Sequence, residues 1–163
     1  MGYTHYWRFK KSPKSVENGA ESFKMAVEAA KKCIAKVPSE IPTVLYHWNK
    51  EKQGYDISDG TLPFKLCGGN GEGKPKFDDD VVCFNGDASK DHDHETCYLS
   101  MDSDGFDFCK TARKPYDVAV CITLICFKHF FGDLFEYSSD GNIGEGEEGW
   151  KLANDITKKY FAK

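Results

Sequence analysis

The chain has 163 residues, 40% hydrophobic and 14% aromatic, so it is long enough for one domain with a substantial core, and a disordered chain is excluded. The formal net charge is −4 at pH 7, whereas nucleic-acid-binding domains are commonly basic, so generic nucleic-acid binding is not expected. Seven cysteines, an odd number without a CxxC pair, indicate reduced thiols rather than a disulfide framework.

The first half of the chain contains two clear patterns and one weak one. Residues 3–9 alternate with a period of two and are rich in aromatic side chains, which predicts a β-strand. Apolar residues recur at helical spacing over 16–37, which predicts an amphipathic helix that Pro38 stops. Residues 43–48 have the composition of a short strand. The Gly-, Lys- and Asp-rich residues 49–80 predict a long loop or irregular hairpin, typical of an insertion.

The second half is dominated by one apolar helix. Pro115 is favoured at a first helical position, and the almost wholly apolar residues that follow predict a buried helix that Gly132 ends. The expected elements are, in chain order, a strand over 81–86, its antiparallel partner over 95–101, a turn over 102–107, the buried helix over 115–131, a strand over 134–138 and a helix over 145–162.

This order of elements predicts a single α+β domain over residues 1–163, with a mainly antiparallel sheet and about three helices, one of them buried. The most apolar stretch, Val118 to Phe127, is ten residues long and too short to span a bilayer, so no membrane partner is expected. The chain begins without an apolar signal region, and together with the reduced thiols this predicts a cytoplasmic protein.

Cationic residues crowd the start of the buried helix. Lys110, Arg113 and Lys114 stand immediately before it, and helix N-termini favour anions through free amide groups and the helix dipole. Arginine binds phosphate or carboxylate through two hydrogen bonds, and Arg113 is one of only two arginines, the other being Arg8. The pattern predicts an anion site, and the alternative is ion pairing with the ten acids of residues 78–107.

The first strand offers a place for a flat ring. His5 and Trp7 share one face of it, with Arg8 opposite, and stacking on tryptophan is a common way to hold a nucleobase. The alternative is that both rings belong to the core. In a separate segment, Asp140 follows a strand end, where a carboxylate can act as a base or bind a ribose hydroxyl, or simply form a turn.

The histidines also suggest metal or phosphoester chemistry, but their pattern is less specific than the cationic and aromatic patterns above. His92 and His94 alternate with acids and would share one face of an extended segment, with a third metal ligand coming from His5, His47 or His129. A solvated hairpin loop is the simpler interpretation, and we expect no metal and no cofactor. His94-Glu95-Thr96 forms one HxT motif, whereas two-histidine phosphoesterases need two.

Two further patterns have stronger structural than functional interpretations. Residues 68–75 satisfy GxxxxGK, but Pro75 replaces the magnesium-binding Ser or Thr, so a flexible Gly-rich loop is expected. Cys109 lies beside Lys110 and near a helix start, which would lower the pKa of a thiol, but Phe106 and Phe108 around it indicate a core position.

Several stretches together resemble an uncharacterised family of small bacterial and phage proteins. They are MGYTHYW at the start, FNG at 84–86, ET at 95–96, FCKTARKPYD at 108–117 and SSDG at 138–141. The resemblance implies one compact domain, often carried by phages, and places a phage-encoded chain in the cytoplasm of its bacterial host. It implies these candidate ligand-binding positions: His5, Trp7, Asn85, Glu95, Thr96, Lys110, Thr111, Arg113, Tyr116, Asp117, Ser139 and Asp140.

We therefore expect a protein that binds and sequesters a small anionic ligand, a nucleotide or a nucleotide-derived signal, in phage counter-defence. Lys110 and Arg113 would meet the phosphate, and Trp7 or Tyr116 would stack on the ring. Two alternatives stay open. One is a hydrolase of a nucleotide-like phosphoester that uses a histidine as general acid or base. The other is an inhibitor that binds a host protein through its acidic surface. Homo-oligomerisation is possible in each case.

Overall fold

A computed structural model describes residues 2–144 and 148–163. Helices and antiparallel strands form a single α+β fold, as the sequence predicts. In chain order the elements are β1 (Thr4–Phe9), α1 (Gly19–Ile34), β2 (Glu40–Asn49), β3 (Gly54–Pro63), β4 (Lys76–Phe77), β5 (Val81–Phe84), β6 (Cys97–Ser100), β7 (Gly105–Lys110), α2 (Asp117–Phe131), β8 (Phe135–Ser139) and α3 (Glu148–Phe161).

The central sheet has the antiparallel strand order β7-β1-β8. β1 is its middle strand, and the period of two places His5, Trp7 and Phe9 on a buried inner face. α2 and α3 pack against this inner face, through Phe127 and Trp150. Tyr6 and Arg8 point to the opposite face, which we call the outer face of the sheet, and the exposure of Arg8 shows that this face meets solvent.

α2 lies at the centre of the core because it is apolar on nearly every side. Eleven of its fifteen residues are buried, and the helix packs against α1 and α3 as well as the sheet. Phe127 contacts Phe9 of β1 and Phe23 of α1 edge to face. Gly132 has a φ of 56° and ends the helix. The buried helix and its end are therefore as predicted.

A second sheet, with the order β4-β5-β6, extends the core on one side. β5 and β6 pair antiparallel, as the sequence predicts, with Val82 opposite Leu99. Val82, Leu99 and Phe84 are completely buried. This sheet therefore contributes to the same core as the central one.

For residues 49–80 the sequence predicts a long loop or an irregular hairpin, and the structure has a regular hairpin followed by irregular chain. The first part of this segment is a regular strand, β3, which pairs with β2 over ten residue pairs from Glu40 opposite Pro63 to Asn49 opposite Gly54. The sequence does not indicate this strand, because Asp56, Ser58 and Asp59 interrupt its apolar residues. Both faces of the strand are also largely exposed, so no apolar face is needed. After β3, the irregular parts are 64–75 and 78–80, on either side of the short strand β4.

The predicted turn over 102–107 is also shorter than expected, because β7 begins at Gly105, which has a φ of 81°. The predicted last helix is present as α3, and the first residues of its expected range, 145–147, lie outside the described residues. Among the described helices, none combines the length and the apolar character that crossing a bilayer requires.

Candidate functional site

The fold gathers most of the predicted site residues at one end of the central sheet. Antiparallel pairing sets Thr4 opposite Lys110 and His5 opposite Ser139, while α2 starts seven residues after β7 ends. The residues that meet there are His5, Glu95, Lys110, Thr111, Arg113, Tyr116, Asp117, Ser139 and Asp140. They are separated by up to 135 positions along the chain, so only the sheet topology brings them together.

His5 is the centre of a buried hydrogen-bond network. Its Nδ1 lies 2.8 Å from Ser139 Oγ and its Nε2 lies 2.6 Å from Asp117 Oδ1. Ser139 Oγ already accepts hydrogen bonds from Trp150 Nε1 at 3.1 Å and from the Gly141 amide at 3.0 Å. Ser139 therefore donates its hydroxyl proton to Nδ1, and the Nε2–H of a neutral His5 donates to Asp117. All polar atoms of this network are satisfied within the chain.

Asp117 supplies the anion at the N-terminus of α2. It is 7% exposed, accepts a hydrogen bond of 2.5 Å from Thr111 Oγ1 in addition to that from His5, and stands where the helix dipole favours negative charge. Its neighbours Tyr116 and Val118 are buried as well. The amides of Asp117 and Ala119 donate to the carbonyls of Lys114 and Tyr116, so the expectation that free amides at this position receive a ligand needs correction.

Cys121 completes the network, since its Sγ lies 3.7 Å from both His5 Nε2 and Asp117 Oδ2. These three residues could in principle ligate a metal, because their ligand atoms all lie within 4.8 Å of one another. The distance of 2.6 Å between His5 and Asp117 is that of a hydrogen bond, whereas two ligands of a tetrahedral zinc lie about 3.3 Å apart. Burial also raises the pKa of the Cys121 thiol well above its usual range. The geometry is therefore that of a hydrogen-bond network.

The cationic residues lie at the surface around this network and differ in their partners. Lys114 Nζ donates to the Asp91 carbonyl at 2.6 Å and lies 3.7 Å from the Asp91 carboxylate. This lysine is therefore paired with one of the acids of residues 78–107, which was the alternative to an anion site. The Arg113 guanidinium lies over the Tyr3 ring, 4.2 Å from its centroid. Lys110 donates its backbone amide to Glu95 Oε2 at 2.7 Å.

The turn that carries Arg113 has an unusual backbone. Ala112 and Arg113 have successive positive φ values of 51° and 58°, a conformation that costs non-glycine residues of the order of 1 kcal/mol each. The Tyr3 carbonyl holds the turn by accepting hydrogen bonds from the amides of Thr111 and Ala112. The surrounding structure therefore imposes the conformation that places the guanidinium on Tyr3.

Asn85 and Thr96 belong to a different feature, the anchoring of the Gly-rich loop. Asn85 Nδ2 donates to the carbonyls of His94 at 2.9 Å and Gly69 at 3.2 Å. Thr96 Oγ1 donates to the same Gly69 carbonyl at 2.5 Å. Residues 68–75 are irregular, without the strand and helix that a phosphate loop requires. The HxT motif and the GxxxxGK pattern therefore have structural explanations here.

Cys109 and Tyr116 are enclosed and protonated. Burial is the main reason why the pKa of Cys109 rises to about 12, and its thiol donates to the Glu95 carbonyl. Burial raises the pKa of Tyr116 too, and its hydroxyl donates to the same carbonyl at 2.6 Å. Cys109 therefore matches the interpretation as a core residue rather than the interpretation as a reactive nucleophile.

The outer face of the central sheet is the feature that the sequence analysis missed. Phe106 and Phe108 of β7 are 57% and 48% exposed and stand opposite Arg8 and Tyr6 in the antiparallel register. The rings of Tyr6 and Phe106 are nearly parallel, 6.1 Å apart. The alternation of Phe106, Phe108 and Lys110 along β7 was the available signal, but assigning 102–107 to a turn concealed it.

His5 and Trp7, in contrast, lie on the inner face. His5 is completely buried and Trp7 is 2% exposed, so neither ring is accessible for stacking as predicted, and the exposed rings of the central sheet lie on its outer face. Trp7 does line a hollow of about 320 Å³ beside β7. Its Nε1 is buried without a hydrogen-bond partner among the described residues. Because Asp102, Asp104 and Asp107 also line this hollow, it repels anions.

A second hollow, of about 250 Å³, lies between α1 and the ends of α2 and α3. It is lined by Glu21, Lys24, Met25, Glu28, Phe130 and Tyr160, none of which belongs to the predicted site.

No protein-family model, curated protein or solved structure matches the chain.

Proposed function

We propose that the protein binds and sequesters a small anionic ligand with a flat ring, a nucleotide or nucleotide-derived signal, on the outer face of its central sheet. The observation that carries this proposal is the combination of exposed aromatic rings and cations on that face. Phe106 and Phe108 are about half exposed, and Arg8 and Lys110 stand at opposite ends of the aromatic group. Sequestration of a host signal by a phage-encoded protein is the biological setting that we propose.

The aromatic group suits a nucleobase. Phe106, Phe108 and Tyr6 form a continuous surface, with ring centroids 6.1 Å apart for both Tyr6–Phe106 and Phe106–Phe108. Tyr6 is fixed by the hydrogen bond of 3.0 Å that its hydroxyl donates to Asp140. Stacking on such a surface contributes about 1–3 kcal/mol per base. Exposed aromatic rings on a sheet whose other face is covered by helices are also how RNA-recognition modules hold unpaired bases.

The cations suit a phosphate. Among the described residues, Arg8 and Lys110 have no carboxylate within ion-pair distance of their side chains, although Glu136 stands opposite Arg8. Glu136 instead pairs with Lys10 at 3.1 Å. Both cationic groups are therefore available to a ligand phosphate, and arginine can bind one through two hydrogen bonds.

The predicted site and the outer face overlap at two positions, Lys110 and Asp140. Arg113 lies over the ring of the buried Tyr3 instead. We propose that the base stacks on Phe106, Phe108 and Tyr6, and that Lys110 or Arg8 meets the phosphate. Asp140 also accepts a hydrogen bond of 3.0 Å from the Thr4 amide. Its carboxylate would accept a further hydrogen bond from a polar edge of the ligand.

Binding without turnover is the better-supported form of this function. A hydrolase would use His5 and Ser139, whose hydrogen bonds resemble those of a Ser-His-Asp triad. However, His5 is fully buried, and two N–H donors already occupy the hydroxyl oxygen of Ser139. The acidic surface that would favour a protein inhibitor is partly neutralised within the chain, for example by the Lys14–Asp102 pair at 2.6 Å.

Calorimetry with a panel of nucleotides and nucleotide-derived signals tests the proposal. We expect Phe108→Ala to weaken binding by about 5- to 150-fold through the loss of stacking, which corresponds to 1–3 kcal/mol. Arg8→Ala should weaken binding of phosphorylated ligands but not of the matching nucleosides. Tyr98→Ala removes a comparably exposed aromatic ring, 46% exposed, from a different strand and is the matched control.

Two results would contradict the proposal. One is that no nucleotide binds the wild-type protein at millimolar concentration. The other is that Phe108→Ala and Tyr98→Ala change the affinity equally, which would place the ligand elsewhere.

A further inference from the structure

The β2–β3 hairpin carries, on one of its faces, five of the large apolar residues that the described part of the chain exposes. Register sets Tyr46 opposite Ile57 and Trp48 opposite Tyr55, so these four side chains share a face, together with Val44. Their exposed fractions range from 40% for Val44 to 66% for Ile57. We call these five residues the hairpin face. Soluble monomers seldom leave a continuous apolar patch of several hundred Å² uncovered.

The rings of the hairpin face contact one another and not the core. Trp48 and Tyr55 meet at 5.1 Å between centroids, and Tyr46 and Tyr55 at 6.3 Å. The hairpin is a sheet of two strands only, held at its base by the hydrogen bond from the Phe64 amide to the Ser39 carbonyl. Two-stranded hairpins are marginally stable alone. An element that packs on the hairpin face would stabilise it.

We propose that the hairpin face is a dimer interface, covered by the same face of a second copy of this chain. The five side chains expose about 600 Å² per copy if an aromatic side chain contributes roughly 200 Å². Two copies would therefore bury about 1,200 Å², the lower end of the range for specific protein interfaces. The area is thus sufficient for a dimer of moderate affinity.

Charge on the hairpin disfavours one alternative occupant, an anionic membrane. The protein has a net charge of −4, so two copies would meet most favourably through an uncharged surface, and all five side chains of the hairpin face are uncharged. The same register sets one exposed acid, Asp59, opposite Val44 at the edge of this face. The hairpin itself, residues 40–63, has four acids and two lysines. That net negative charge disfavours docking on an anionic membrane.

A two-fold axis through the hairpin face would make the contact self-complementary. Each copy would present the same row of rings, so that a residue i that contacts j in the other copy is matched by j contacting i. Tyrosine and tryptophan are the residue types that carry most binding energy at such interfaces. This interface is independent of the proposed ligand, which would bind to the central sheet.

Sedimentation equilibrium over a concentration series tests the proposal, with two neighbouring substitutions on opposite faces of β3. We expect the wild-type chain to reach twice its monomer mass of 18.4 kDa. Ile57→Lys places a charge in the hairpin face and should weaken self-association by at least about tenfold. Ser58→Lys, also at an exposed position but on the other face, should leave self-association unchanged.

Circular dichroism verifies that both variants fold, and Trp48→Ser provides a second variant that introduces no charge. A wild-type protein that stays monomeric at about 100 µM overturns the proposal, because such an interface should give a Kd in the micromolar range or below. Equal self-association of the Ile57→Lys and Ser58→Lys variants also overturns it. Binding of the monomer to vesicles of anionic lipid through Trp48 would assign the face to a membrane instead.

Discussion

At the scale of single residues, Asp117 has the largest structural role at the candidate site. Its carboxylate accepts hydrogen bonds from His5 and Thr111 in the interior, and it stands at the positive end of α2. A buried carboxylate in this position stabilises the fold only as long as the groups that donate hydrogen bonds to it remain in place. The same residue links a strand, a turn and a helix, so its removal affects all three.

We expect Asp117→Ala to lower the free energy of unfolding by about 2–5 kcal/mol. The substitution leaves the His5 Nε2–H and the Thr111 hydroxyl buried without acceptors, and each such group costs about 1–3 kcal/mol. Urea denaturation measures this change. Asp133→Ala, which removes an exposed acid beyond the other end of α2, is the control and should change stability by less than about 0.5 kcal/mol. Equal effects of both substitutions would show that the network contributes nothing specific.

At the scale of elements, α3 packs closely against the start of α2 at a glycine. Gly149 packs directly against Asp117 Oδ2, and a Cβ atom at this position would collide with that oxygen. The oxygen cannot move aside freely, because the other oxygen of the carboxylate is held by His5 and Thr111. Trp150, the next residue, donates to Ser139 at the end of β8. The N-terminal turn of α3 is thus positioned by α2 and β8 together.

Gly149→Ala should therefore lower the free energy of unfolding by about 1–3 kcal/mol, the usual cost of forcing an extra methyl group into a packed site. Gly144→Ala is the matched control, since the nearest atom to a Cβ at that position is Asn142 Oδ1 at an ordinary 3.6 Å. Thermal unfolding of the two variants measures the difference. An unchanged midpoint for Gly149→Ala would mean that α3 docks independently of Asp117.

At the scale of the whole molecule, the central sheet separates two surfaces with different chemistry. The inner face holds the satisfied network around His5, and the outer face carries rings and cations that meet solvent. A ligand on the outer face therefore has no direct access to the imidazole. This separation is the physical reason to expect binding without conversion.

We expect a ligand incubated with the wild-type protein to be recovered chemically intact after heat denaturation. The measurement is chromatography of the supernatant, with the ligand alone as the control. Ser139→Ala should bind the ligand as tightly as the wild-type protein does, because the serine lies in the internal network. Product that accumulates with the wild-type protein and disappears with Ser139→Ala would instead establish a hydrolase.

Much of the fold was predictable because it depends on local patterns. The period of two in β1 and the apolar sequence of α2 identify both elements and the burial of the helix. β3 and β7 were missed or shortened, since polar residues or an overlapping turn signal interrupt their alternation. Strand pairing across many residues, such as β7 with β1, has no local signature.

Spacing and side-chain chemistry alone predicted a cationic turn before a buried helix, an alternating first strand and a chain of α+β class. The packing of distant elements decided which side of β1 is covered, that the Asp117 carboxylate accepts hydrogen bonds from His5 and Thr111, and that Phe106 and Phe108 stand beside Tyr6. The reason is that an alternating strand offers two faces to the core. The choice between them depends on where distant helices pack.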